Sequence, residues 1–354
     1  MKKKMLSVLL AAAMTMSLIG CGSTADTATD TTETTETTDT ADEATDASDA
    51  STDAADASAD SDKTYTVGIC QLVQHEALDA ATQGFKDALV EKLGEGNVKF
   101  DEQNASGDIP TCSTICTGFA ASNVDLILAN ATPALQAAVS ATQTIPILGT
   151  AVTEYGVALD IDDFSGTVGG NVSGTSDLAD LSKQADMITE WFPETQKVGL
   201  LFCSGEPNSR YQIEEVAKNL SAKGIETKEF AFTDTNDVSS VTQAACDWAD
   251  VIYVPTDNTA ASNTEAIANV TVPAKTPVIA GEEGICKGCG VATLSISYYD
   301  LGMTTGKMAA KILTGEADIS TMPIEFTTAT PKYNASMCET LGITPLEGYT
   351  AIAE

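Results

Sequence analysis

The sequence predicts an α/β fold of two similar lobes, each a parallel sheet with helices on both faces. Three observations carry this. Short apolar or β-branched runs alternate with stretches of helical period across residues 65–315, the pattern of strands joined by crossover helices. The alternation falls into two consecutive series. Glycine-rich stretches at 166–174 and 281–290 lie near the series ends, where crossovers or hinges belong.

The first series opens with a β-rich run at Tyr65–Cys70. A helix follows over 75–93, with Ala77, Leu78, Ala81, Phe85 and Leu89 on one face. Strands are expected at 98–100, 124–129 and 145–148, and helices at 111–122 and 134–142. In the second series, a helix over 178–191 ends at Pro193, and a strand spans 197–202. A helix over 208–223 is closed by Gly224, and a strand spans 226–230. Helices at 238–246 and 259–270 alternate with strands at 251–254 and 277–280. A last strand, 291–296, and helix, 299–313, exceed what the second lobe needs, so both are returned to the first. The boundaries are then 63–172 plus 295–322 for lobe 1 and 173–294 plus 323–354 for lobe 2.

The N-terminus precedes all this. Lys2, Lys3 and Lys4 lead an apolar run that is shorter than a spanning helix and ends Leu18-Ile19-Gly20-Cys21. That ending resembles the lipobox of bacterial lipoproteins, so 1–21 reads as a lipoprotein signal with Cys21 as the lipidated residue. Segment 22–62 is almost entirely Thr, Ala, Asp, Ser and Glu, with 13 acidic residues and no base. It has nothing to bury and reads as a disordered acidic spacer.

The net charge is −33, and the chain without signal and spacer still carries 38 acidic against 15 basic residues. Such a body repels phosphate backbones, which excludes nucleic acid as a partner. His75 is the sole histidine. A Ser-His-Asp site could draw only on that imidazole, and there is no HExxH, P-loop or strand-linked GxGxxG. A two-carboxylate hydrolase has no support beyond the abundance of acids. No cofactor is expected, and the chain reads as a non-enzyme.

Eight cysteines remain after Cys21, and export would permit disulfides. Cys70, Cys203 and Cys246 sit in or beside apolar runs like core thiols. Cys286-Lys287-Gly288-Cys289 is a CxxC in an expected loop. A zinc site would need it to meet Cys112 and Cys116, which takes several independent coincidences, and no metal is expected.

Polar clusters follow the strand ends, where open α/β sheets bind ligands. They include Gln71, Asn130–Pro133, Gly149–Glu154, Gly205–Ser209, Pro255–Thr259 and Gly281–Gly284. Each also opens a helix, so amides and hydroxyls there can hold a carboxylate, while Asp257 and Glu282 can face a cation. Helix capping explains any one of them equally well.

With these residues in view, the chain resembles the ABC-transporter substrate-binding lipoproteins that include tryptophan- and tyrosine-binding members. The matching stretches include Val67–Gln71, His75–Ala80, Asn104–Asp108, LILANATPALQ at 126–136, NVSGTSD at 171–177, Gly205–Ser209, DVIYVPTDNTAAS at 250–262 and Tyr298–Gly302. Glu76 and the thiols at 286 and 289 depart from the family pattern. The resemblance implies a type I periplasmic-binding-protein fold with a three-segment hinge, and a ligand held between lobes for an ABC permease and ATPase complex. It implies Gln71, Thr132, Thr153, Asn208, Ser209, Asp257 and Glu282 as cleft residues. Thr132, Asn208 and Ser209 would hold a carboxylate and Asp257 an ammonium. An aromatic amino acid is the expected ligand, with Tyr155 and Phe164 as stacking candidates. A non-aromatic ligand, or a sensing role for a signalling receptor, would use the same cleft. The protein is expected on the extracytoplasmic face of the membrane, held by its lipid.

Overall fold

The computed structural model describes residues 63–353. The lipobox at Cys21 and the acidic spacer lie outside the described residues.

The first lobe begins β1 (Tyr65–Gln71), α1 (Glu76–Leu93), β2 (Val98–Asn104), α2 (Ile109–Ser122), β3 (Leu126–Asn130) and α3 (Thr132–Ala141). It continues through β4 (Ile147–Val152), the single turn α4 (Tyr155–Ala158) and β5 (Val172–Ser176). The second lobe has α5 (Leu181–Trp191), β6 (Lys197–Cys203), α6 (Pro207–Ala222), β7 (Glu226–Phe232), α7 (Val238–Cys246) and β8 (Val251–Val254). Then come α8 (Asn258–Ala261), α9 (Thr264–Ala274), β9 (Val278–Ala280), α10 (Glu283–Cys289) and β10 (Ala292–Ser295). The chain closes with α11 (Tyr298–Leu313), β11 (Glu325–Phe326), β12 (Thr330–Tyr333), α12 (Ala335–Leu341) and β13 (Thr350–Ala351).

Two sheets result, ordered β11-β5-β4-β3-β1-β2 and β13-β12-β10-β9-β8-β6-β7. All ladder pairs are parallel except β10 with β12. Side chains alternate across each strand, so each sheet feeds two cores. Val67 and Ile69 of β1 face Phe85 and Leu89 of α1 and Met308 of α11. Cys70 of the same strand faces Cys112, Ile115 and Phe119 of α2. In the second lobe Leu200 and Phe202 pack on α5 and α6, while Leu201 and Cys203 face α7 and α10.

The chain passes between the sheets three times, at 177–180, 296–297 and 327–329. This is a type I periplasmic-binding-protein topology. The boundaries expected at 172/173, 294/295 and 322/323 each move a few residues toward the C-terminus. β5 pairs with β4 through Val172, Ser173 and Gly174, so this glycine-rich segment is a strand of the first sheet. β11 pairs with β5, which keeps Glu325–Phe326 in the first lobe. β10 pairs with β9, so only the helix after it returns to lobe 1. The stretch 281–290 contains α10, and the helix expected over 259–270 is broken between α8 and α9.

Candidate functional site

The strand ends of the two sheets face each other across a cleft. Its inner part is a cavity of about 10 Å³, room for one water-sized sphere. Lobe 1 supplies His75, Leu78, Ala151 and Thr153; the second lobe supplies Asn208, Thr256, Asp257, Asn258, Ala261 and Glu282. Asp177 reaches it from the first crossing and Tyr298 from the start of α11, and they bond to each other, Tyr298 Oη donating to Asp177 Oδ2 at 3.0 Å. Asn258 also borders an outer compartment of about 310 Å³. Leu72, Val73, Ile109 and Pro133 form the apolar wall of that compartment, opposite Glu206 and Thr259.

Four of the seven residues implied by the resemblance therefore line the inner cavity: Thr153, Asn208, Asp257 and Glu282. The other three do not. Gln71 is spent on lobe 1, donating to Asp79 Oδ1 at 2.7 Å and Val73 O at 2.9 Å while accepting from Thr82 Oγ1 at 2.7 Å. Thr132 is buried at the start of α3 and borders neither compartment. Ser209 is buried on α6, where its Oγ meets Asn208 Nδ2 at 3.3 Å. Asp257 lines the cavity but also caps α8. Its Oδ1 accepts from Ala260 N at 2.8 Å and its Oδ2 from Cys203 N at 2.6 Å. Glu282 caps α10 through Gly284 N at 2.7 Å and Ile285 N.

Neither stacking candidate faces the cleft. Tyr155 is buried against Gly149 and Gly174, its hydroxyl donating to Thr175 O at 3.1 Å. Phe164 packs on the α2–α3 core. The cysteines among the described residues are free, and the Cys112/Cys116 and Cys286/Cys289 pairs belong to cores of different lobes. The CxxC is helical and buried, with burial pushing both thiols up.

Asp177, Thr256, Asn258 and Tyr298 were not among the implied site residues. Asp177 and Tyr298 each fall in a stretch that carries the resemblance, but their role depends on where the chain changes lobe, which no local pattern marks.

The inner cavity is acidic and has no lysine or arginine in its lining. Burial is the first cause in each case: it raises Asp177 to about 6, Glu282 to about 7 and Asp257 to about 8, the last with a further push from Glu206. Burial lowers His75, whose Nε2 lies 3.3 Å from Asn258 Oδ1 across the cleft. Carboxylates raised in the folded state hold more protons than in the unfolded chain. Their contribution therefore favours folding at low pH and is lost as pH rises from about 4 to about 8. The ligand-free protein is expected to melt at a lower temperature at pH 8 than at pH 5.5. A calorimetric melting temperature that rises over this interval would contradict burial as the dominant cause.

The family model for ABC transporter substrate binding proteins matches residues 66–353. This chain belongs to that family. The substrate-binding protein is accordingly not an enzyme: its cleft binds without chemistry. It is 36% identical over 263 residues to a tyrosine-binding protein of Clostridioides difficile (strain R20291), covering 73% of this chain and 75% of that one. The solved ABC domain from Streptococcus pneumonia in complex with L-Trp superposes with a TM-score of 0.78 at 30% identity, over 82% of this chain and 100% of that one. The ligand-free, open structure of a Clostridium difficile substrate binding protein with adhesive properties gives 0.63 at 35% identity, over 82% and 99%.

Proposed function

We propose that this protein is the extracytoplasmic, lipid-anchored receptor of an ABC importer for an amino acid, with an aromatic side chain as the preferred ligand. The observation that carries the reading is a closed interlobe cavity where Asp177, Asp257 and Glu282 converge without a lysine or arginine. Such a cavity calls for a cationic group. An anion has a separate seat. His75, the residue before α1, makes no side-chain cap, so the first amides of that 18-residue helix stay open beside the cavity lined by His75 and Leu78. A zwitterion meets both demands. The outer compartment, walled by Leu72, Val73, Ile109 and Pro133, has the volume and polarity for a ring. The relatives that bind tyrosine and L-Trp support the same ligand class. Closure excludes water from the charged contacts, and reopening at the permease releases the ligand.

A ligand that binds only the folded state raises its melting temperature, by the equivalent of about 2.7 kcal/mol at 100 times Kd. L-tyrosine or L-tryptophan is expected to produce such a shift. No shift with any of the twenty amino acids would overturn the reading. The anchor rests on Lys2–Lys4, the apolar run and Leu18-Ile19-Gly20-Cys21. Cys21→Ser protein is expected to lose its lipid label; fractionation with the lipid label retained would refute the anchor.

A further inference from the structure

No hydrogen bond reaches two buried acceptor atoms of the inner cavity, although the Thr153 hydroxyl stands near enough to Asp177 to pull its carboxyl down. They are Asp177 Oδ1 and Asn208 Oδ1, on side chains only 5% and 4% exposed. Both side chains line the cavity. Their orientation is held from behind. Asp177 Oδ2 is occupied by the Tyr298 hydroxyl. Asn208 Nδ2 donates to Thr256 O at 3.1 Å and Glu206 Oε2 at 3.2 Å. Flipping the amide would turn its oxygen onto those acceptors, so the oxygen is the atom left facing the cavity. The other two carboxylates differ in kind: each oxygen of Asp257 and Glu282 already accepts a backbone N–H.

We propose that Asp177 Oδ1 and Asn208 Oδ1 form the seat of the ligand's ammonium group, and that Asp257 and Glu282 shape the cavity without holding that group. This rests on the amino-acid reading above and deepens it. A primary ammonium brings three N–H donors and one positive charge. Asp177 supplies the compensating charge, and Asn208 adds a neutral acceptor from the second lobe. Because Asp177 sits on the first crossing and is tied through Tyr298 to the start of α11, just after the second, filling the seat joins the hinge to lobe 2. Recognition then depends on the amine more than on the ring.

The test uses calorimetry on the full chain with L-tyrosine, L-tryptophan, their decarboxylated amines tyramine and tryptamine, and their des-amino acids. Wild-type protein is expected to bind the amino acids and to lose about 100-fold for the des-amino acids, the size of removing one partner of a buried charged pair. Asp177→Asn is expected to lose about as much for the amino acids, yet to bind the des-amino acids no worse than wild type does. Equal binding of amino and des-amino acids by wild type overturns the seat, and this arm needs no variant to fold. A fully folded Asp177→Asn protein with unchanged affinity overturns it too. Wild type that ignores both amino acids but binds tyramine or tryptamine keeps the seat and removes the amino-acid reading. Wild type that ignores every primary amine removes both.

Discussion

Asp257→Ala is expected to lower the melting temperature of the ligand-free protein at pH 7 by roughly 6–12 °C, taking about 3 kcal/mol at 2–4 °C per kcal/mol. The substitution strips acceptors from two backbone amides, Cys203 N and Ala260 N, and uncaps α8. Each buried donor left without a partner costs about 1–3 kcal/mol. Against that stands relief of carboxylate burial, which raises Asp257 to about 8. Both oxygens are engaged by backbone amides, so the lost bonds dominate. Asp257→Asn keeps one acceptor and should lose less. Read from sequence as the ammonium partner, Asp257 would show the reverse: a stable variant that no longer binds. An unchanged melting temperature with abolished binding would restore that role.

Gly302→Ala is expected to cost more still. α1 and α11 pack with backbones nearly touching, and a Cβ on Gly302 would lie 2.0 Å from Ala81 O and 2.9 Å from Phe85 N. Gly84 faces Tyr299 O in the same way, at 2.2 Å. Backbone atoms cannot rotate aside as a side chain can, so the helices must separate. Ordinary overpacking costs about 1–3 kcal/mol, and a backbone clash should exceed it. The melting temperature is expected to fall by about 10 °C or more, and ligand affinity should weaken, because α11 carries Tyr298 into the cleft. Gly118→Ala is the control. It lies within α2 with no neighbour within 4 Å of the added carbon and should be neutral or slightly stabilising. A Gly302→Ala protein as stable as this control would show that the helices pack less closely than described.

Most of the fold was legible because its strands are short apolar runs and its helices carry one apolar face. β1, α1, α7 and β8 lie within a residue or so of where periodicity puts them. β5 was not legible. Val172-Ser173-Gly174-Thr175-Ser176 has no apolar run, and it is a strand because small residues fit beneath Tyr155, with Gly174 at φ +148° and its missing Cβ 2.1 Å from Gly149 O. α10 was hidden by Gly284, Gly288 and Gly290; Gly288 admits Thr264, whose Oγ1 would stand 2.3 Å from a Cβ there. One departure from the family pattern, Glu76, also finds its partner only in space. Glu76 and Lys287 pair across the cleft at 3.3 Å, an exposed bridge worth little by itself.

The sequence by itself determined the class of the molecule: an acidic two-lobed α/β body of the ABC transporter substrate-binding family. Those properties follow from composition, period and motif, all of which are local along the chain. Tertiary structure decided what each of the acids bonds to. Asp257, Glu282 and Asp177 all follow strands and look alike in sequence, yet the first two spend their oxygens on backbone amides. Asp177, at a crossing between lobes, keeps one oxygen free over the cavity. The difference is a matter of which backbone donors the folded chain brings within bonding distance, and that is set by how the lobes meet.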